Sequence, residues 1–135
     1  MTRELLLDTH AAIWWLADDR RLTDDAKSAV LAAAAVHVSA ASTWEVAIKQ
    51  AIGKLDLGLD GGKSFAQVCA DQGFALATVT HEDARAVGEL PPTRTDPFDR
   101  LIAATARRRR WTVVTADPAF AGLDVAVLDP SRGGG

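Results

Sequence analysis

The sequence holds one cysteine, Cys69, so no internal disulfide forms, and no Cys/His pairing at zinc spacing accompanies it. A disulfide scaffold is excluded, and a reducing cytoplasm is the expected compartment. Long hydrophobic runs are missing as well. The longest, Ala29 to Val36, is mostly alanine and too short to cross a bilayer. Met1-Thr2-Arg3-Glu4 leads into only three leucines before Asp8, which makes no core for a secretory signal, so neither export nor membrane insertion is expected. An excess of positive charge is also lacking: 15 Lys and Arg against 18 Asp and Glu give a net charge of -3. Binding to nucleic acid then depends on where the cations sit. The one basic run is Arg107-Arg108-Arg109-Arg110, whose plainer reading is a solvated helix end with cations placed favourably near a C-terminus.

What is present describes a globular chain. Hydrophobic residues make up 48% and charged residues 24% of 135 residues, enough for one core and far from the signature of disorder. No internal repeat or linker divides the chain. One domain over 1–130 and a flexible tail over 131–135 are expected.

The apolar pattern alternates strands with helices. Leu5-Leu6-Leu7 reads as a buried strand, Thr9 to Ala17 as a helix, Ala26 to Ala35 as a helix capped by Thr23, and Val36 to Val38 as a strand. Ser42-Thr43-Trp44-Glu45 opens a third helix running to Gly53, with Trp44, Ile48 and Ile52 at helical spacing. Ser64 to Gln72 and His81 to Leu90 are helices around a strand from Phe74 to Val79. Asp96-Pro97 begins a strong helix with Phe98, Leu101, Ile102 and Thr105 along one stripe. Trp111 to Thr115 and Val125 to Leu128 are strands, with a short helical turn from Asp117-Pro118 between them. The class is α/β, a mostly parallel sheet covered by helices on both faces.

Four carboxylates occupy comparable places: Asp8 after the first strand, Asp117 after the strand at 112–115, and Glu45 and Asp99 in first helical turns. In open α/β sheets the carboxyl ends of strands form the ligand crevice. Clustered carboxylates repel unless a cation or protons neutralise them. Oxygen ligands without His or Cys select Mg²⁺ or Mn²⁺ over zinc, and a hard dication held by acids suits phosphodiester hydrolysis. Each acid also has an ordinary role. Ser42 and Glu45 have the spacing of a capping box, Glu45 can pair with Lys49, Asp96 and Asp117 precede prolines as N-caps, and Asp99 suits a helix dipole.

Taken together, Leu5 to Leu16 (LLLDTHAAIWWL), Ser39 to Leu57 (SAASTWEVAIKQAIGKLDL), Asp96 to Ala106 (DPFDRLIAATA) and Val113 to Phe120 (VVTADPAF) resemble the PIN domain, in its VapC-type toxin branch. The resemblance spans Leu5 to about Leu128, and its middle two blocks are the specific ones. It implies a three-layer α/β/α sandwich and a metal-dependent endoribonuclease. By position, the acids of that family fall on Asp8, Glu45, Asp99 and Asp117. Asp8, Asp99 and Asp117 are the expected ligands, direct or through water, of Mg²⁺ or Mn²⁺, and Glu45 holds a second ion or orients water. Asp96 takes a lesser role as cap or supporting acid, beside Thr9 and Thr115. The resemblance further implies structured RNA such as tRNA or rRNA as substrate, inhibition of translation, a homodimer, and a cognate antitoxin that blocks the acidic site. The alanine- and tryptophan-rich helices at 9–17 and 26–35 add apolar surface in keeping with a dimer.

Other motifs carry less. Gly58 to Ser64 resembles a phosphate-binding loop but has three residues between Gly58 and Gly62 where four are needed, which leaves a surface loop with Lys63 solvated. Cys69 reads as a small buried hydrophobe. Trp14, Trp15 and Trp44 fit an apolar stripe or a protein interface better than base stacking. Two rival readings are a phosphatase with Asp8 as nucleophile, which lacks the second acid of the DxDx[TV] pattern, and a non-catalytic module whose basic helix end contacts RNA.

Overall fold

The structure is a computed structural model that describes residues 3–132. Five strands form one sheet: β1 (Glu4–Leu7), β2 (Ala35–Ser39), β3 (Ala75–Ala77), β4 (Thr112–Val114) and β5 (Val127–Leu128), in the order β3-β2-β1-β4-β5. All neighbours run parallel, with Leu6 opposite His37 on one side and Val113 on the other. Leu5 and Leu7 join one core cluster while Leu6 joins the other. That explains an unbroken apolar run where a half-exposed strand would alternate.

Helices cover both faces. α1 (Thr9–Ala17), α2 (Asp24–Ala32) and α4 (Phe65–Asp71) contribute Ala11, Ala12, Val30, Phe65 and Cys69 to the first cluster. α5 (His81–Ala86) and α6 (Pro97–Arg109) contribute Ala86, Ile102, Ala103 and Ala106 to the second. α3 (Ala40–Ala51) follows β2 directly and places Val46 in the first cluster and Ala41 in the second. This is the expected α/β/α sandwich. Among the described residues no helix is long and apolar enough to cross a membrane.

Side-chain caps start every α-helix. Asp8, Thr23, Ser39, Ser64, Thr80 and Asp96 each accept a hydrogen bond from an amide of the first turn, each such cap contributing about 1 kcal/mol. Several expectations need correction. α2 ends at Ala32, because Ala33 is already extended (φ -66°, ψ 149°) and Ala35 pairs with Glu4. The cap of α3 is Ser39, so Ser42 lies inside the helix, fully buried, and Glu45 sits in the second turn.

The arginine run is the exposed C-terminal end of α6, as expected, and three of its members are also paired. Arg108 Nη2 lies 2.8 Å from Asp83, Arg109 pairs with the same carboxylate, and Arg107 reaches Asp124 at 3.4 Å. Asp83 is fully buried, and three hydrogen-bond donors gather on it: both guanidiniums and the Thr80 amide. Burial alone would raise its carboxyl, but these donors outweigh it and hold it at about 2. The cluster clamps the C-terminus of α6 to the start of α5. Lys63 is paired with Asp71 at 2.6 Å, and Cys69 is buried with its thiol pushed up to about 11. Of the expected tail, Ser131 is bonded back to Asp129, and 133–135 lie outside the described residues.

Candidate active site

The chain winds from β1 through β2 to β3 on one side, then returns to β4 and β5 on the other, so the direction of winding reverses between β1 and β4. At such a switch point the loops after the two strands part and leave a crevice. Asp8 follows β1 and Thr115-Ala116-Asp117 follows β4, which puts both segments at its mouth. The Asp8 amide donates to Val114 O at 3.0 Å, extending the ladder by one rung and fixing Asp8 beside the end of β4.

Asp8 is buried and caps α1 through its 2.7 Å bond from the Ala11 amide. Capping and site membership are therefore not alternatives for this residue. Burial raises its carboxyl above the ordinary 3.8, opposed by hydrogen bonds from the Thr115 side chain and the Ala11 amide. Thr115 Oγ1 also accepts the Asp117 amide at 3.0 Å, which ties the fourth acid to the first. Asp117 itself caps the turn from Pro118 to Leu123, accepting from the Ala119 amide.

Glu45 reaches the crevice from α3. Thr9 Oγ1 lies 2.7 Å from Glu45 Oε1 and 2.9 Å from Ser42 Oγ. With one proton to give, Thr9 donates to the carboxylate and accepts from Ser42. Lys49 donates to Glu45 Oε2 at 2.7 Å, so the expected i,i+4 pair is present. The expected capping box is absent, because the serine that was to be its cap instead braces Thr9.

α6 supplies Asp96 and Asp99. Asp96 caps the helix through the Phe98 amide at 2.7 Å, as expected of it. Trp44 and Phe98, the residues before Glu45 and Asp99, meet edge to face with ring centroids 4.8 Å apart. This contact joins the acid-bearing turns of α3 and α6. Arg100 donates to the carbonyls of Pro91 and Val87, holding the preceding loop against α6. Neither Arg100 nor Asp83 was singled out in the sequence. Thr80-x-x-Asp83 has capping-box spacing and gave the one local signal for Asp83.

The charge on Asp99 reports how these acids converge. Its carboxyl is pushed from 3.8 up to about 7, first by burial and then by the charges of Asp96, Asp8, Glu45 and Asp117. Among the described residues it has no hydrogen-bond partner to offset this. A group so placed calls for a proton or a cation, and the donors around it are all oxygens. Among the described residues no three His, Cys, Asp or Glu side chains stand together as a ready-made metal cage.

Known proteins supply an independent comparison. Residues 5–126 match the PIN domain. The chain is 34% identical over 113 residues to Ribonuclease VapC22 of Mycobacterium tuberculosis (strain ATCC 25618 / H37Rv), covering 84% of this chain and 86% of that protein. Among solved structures, it resembles a chain of the VapBC2 complex from Rickettsia felis bound to a promoter DNA fragment, with a TM-score of 0.65, 16% identity, and 93% and 97% of the two chains covered. A chain of a toxin-antitoxin complex from Klebsiella pneumoniae aligns with a TM-score of 0.61, 22% identity, and 93% and 97% coverage. With its strand order, its acids at the switch point and a match across nearly its whole length, the chain belongs to the PIN domain family.

Proposed function

We propose that this chain is an endoribonuclease dependent on Mg²⁺ or Mn²⁺, acting in the cytoplasm as the toxin of a toxin–antitoxin pair and inhibiting translation by cutting tRNA or rRNA. The observation that carries the reading is the charge convergence on Asp99, which draws on Asp8, Glu45, Asp96 and Asp117 at once. Asp8, Asp99 and Asp117 are the residues to hold the ion. A hard dication bound there supplies charge to offset that of the phosphate and makes a water acidic enough to attack at neutral pH. Glu45, held between Thr9 and Lys49, orients that water or holds a second ion. Thr115 keeps Asp8 and Asp117 in register.

The partners follow from the surface and from the relatives. A toxin of this kind is held inactive by an antitoxin that covers the acidic crevice. A homodimer is part of the same proposal, and Leu31 of α2 offers it one exposed large apolar side chain. Trp44, Ile48 and Ile52 of α3 and Leu76 of β3 add further exposed large apolar side chains, Trp44 and Leu76 lining one cavity. Light scattering that gives a monomer at micromolar concentration removes the dimer from the account. The activity itself is tested by incubating the purified protein with total tRNA and rRNA. Discrete cleavage in Mg²⁺, abolished by EDTA and restored by excess Mg²⁺, is expected; cleavage that EDTA leaves untouched refutes the metal mechanism.

A further inference from the structure

We infer that the cavity between α1 and the C-terminal end of α3 is a subsite for a nucleotide of single-stranded RNA flanking the cut bond, with its phosphate on Lys54 and its base against the Trp14–Arg21 pair. The inference rests on the ribonuclease reading above and names where the substrate strand runs.

The cavity has a volume of about 360 Å³, and Thr9, His10, Trp14, Arg21, Lys49 and Lys54 are among its walls. It adjoins the acidic crevice, because Thr9 and Lys49 are the two residues that hold Glu45. Lys49 lies four residues beyond Glu45 on α3, about 6 Å along the axis. Whatever fills the cavity is therefore a neighbour of whatever reacts in the crevice.

The charges sort into spent and available. Lys49 is neutralised by Glu45. Arg21 is held by both oxygens of Asp19 at 3.0 and 2.7 Å. Lys54 is exposed and has no partner among the described residues. The local backbone places it there. Gly53 takes a positive φ of 73°, and the Lys54 amide turns back to donate to Lys49 O at 2.9 Å, a glycine-terminated helix end. Lys54 is thus folded back toward the cavity by the way α3 stops.

The aromatic side of the cavity is equally specific. The Arg21 guanidinium carbon stands over the Trp14 ring, 4.6 Å from its centre, a cation–π pair whose charge Asp19 already meets. Trp14 differs here from Trp15, which packs on Phe74 and donates to Gln72. An aromatic–guanidinium pair beside an unspent cation is the combination that recognises single-stranded nucleic acid: bases stack on aromatic or guanidinium faces and phosphates track the lysines. The crevice itself repels a polyanion, so a strand entering it needs cations on the flanking phosphates.

The test is a fluorescence-anisotropy titration of a short fluorescein-labelled single-stranded oligoribonucleotide, with Ca²⁺ in place of Mg²⁺, over a range of salt. Trp14→Ala is expected to weaken binding by about tenfold. Lys54→Ala, on an exposed loop where folding is not at stake, is expected to weaken binding and to flatten the salt slope by about 0.7, the single-strand value for one phosphate contact. Lys63→Ala, paired with Asp71 outside the cavity, should bind as wild type. The inference is overturned if Lys54→Ala and Trp14→Ala both bind within twofold of wild type. It is equally overturned if they lose affinity only for a polyglutamate peptide, which would assign the cavity to an acidic protein segment. Cleavage by the wild type in Mg²⁺ is read separately. Cleavage with normal binding by both variants leaves the ribonuclease and removes the subsite, whereas selective loss of binding without any cleavage does the reverse.

Discussion

Asp99→Asn is expected to make the metal-free protein more stable at pH 8 while destroying its activity. The carboxyl of Asp99 keeps its proton to about pH 7 in the fold but releases it near its ordinary value when unfolded. Between those values the folded state binds more protons, so stability falls as pH rises from about 4 to about 7 and stays low above. Each pH step is worth about 1.4 kcal/mol, which sets a ceiling of about 4 kcal/mol. Asp99 is only half-buried, and screening by solvent reduces that to about 2 kcal/mol. Asparagine has a similar shape and no charge, and no hydrogen bond to Asp99 is lost by the change. Thermal melting in EDTA should therefore show the variant higher than wild type by about 6–10 °C at pH 8, with the gap closing toward pH 4. Saturating Mg²⁺ should narrow the gap at pH 8 by stabilising the wild type more. Equal melting temperatures at pH 8 in EDTA, or a wild type as stable at pH 8 as at pH 5, would refute the claim that Asp99 is held among repelling carboxylates.

The other acids separate in the same way. Asp83→Ala should destabilise the protein by about 3 kcal/mol, since Arg108 and Arg109 lose a buried partner, while the cleavage rate of the folded fraction at low temperature is unchanged; a loss below about 1 kcal/mol would contradict the clamp. The Asp83 carboxyl, held at about 2, lends stability that is present above about pH 4 and lost as pH falls toward 2, so the wild type but not Asp83→Ala should lose that increment in acid melts. Mg²⁺ at about a hundredfold above its dissociation constant should stabilise the wild type by about 2.7 kcal/mol, and a melting temperature indifferent to Mg²⁺ would count against a site in the folded protein. Thr9→Val removes the donor to Glu45 Oε1 and leaves Ser42 without its acceptor, so stability should fall by about 1–3 kcal/mol, with a drop in the cleavage rate constant read by single-turnover kinetics.

Where the sequence was legible, one residue type could do only one thing in its local setting. Thr9 to Ala17 is found with its expected bounds, because Asp8 caps it and Asp18 ends it in a left-handed turn at φ 50°. Asp96-Pro97 likewise starts α6 where expected. The alanine run after Val30 held no stop signal, and its helix ends where Ala35 to Ser39 must pair with β1, a constraint set by a distant partner. Ser39 and Ser42 are both competent caps, and local sequence could not choose between them. The choice fell to the strand ending at Ser39, and it moved Glu45 inward by most of a turn. The pairing of the arginine run was hidden for a similar reason: its partner Asp83 is 25 residues from Arg108 and lies on a different helix. The four acids were visible as positions. The Lys49–Glu45 pair was legible as i,i+4 spacing, whereas the order in which the acids share charge, and the place of Lys54 beside them, belong to the folded crevice alone.

The most direct test of the central claim follows single-turnover RNA cleavage during a Mn²⁺ titration, with wild type and Asp8→Asn in parallel and melting temperatures recorded on the same preparations. Asparagine caps a helix about as well as aspartate, so α1 should survive the change. The account predicts no cleavage before metal is added, a wild-type rate that saturates with Mn²⁺, and an Asp8→Asn rate roughly a thousandfold lower or less in a protein at least as stable as wild type. Cleavage at full rate before any metal is added, or Asp8→Asn cutting RNA as fast as wild type, would contradict it.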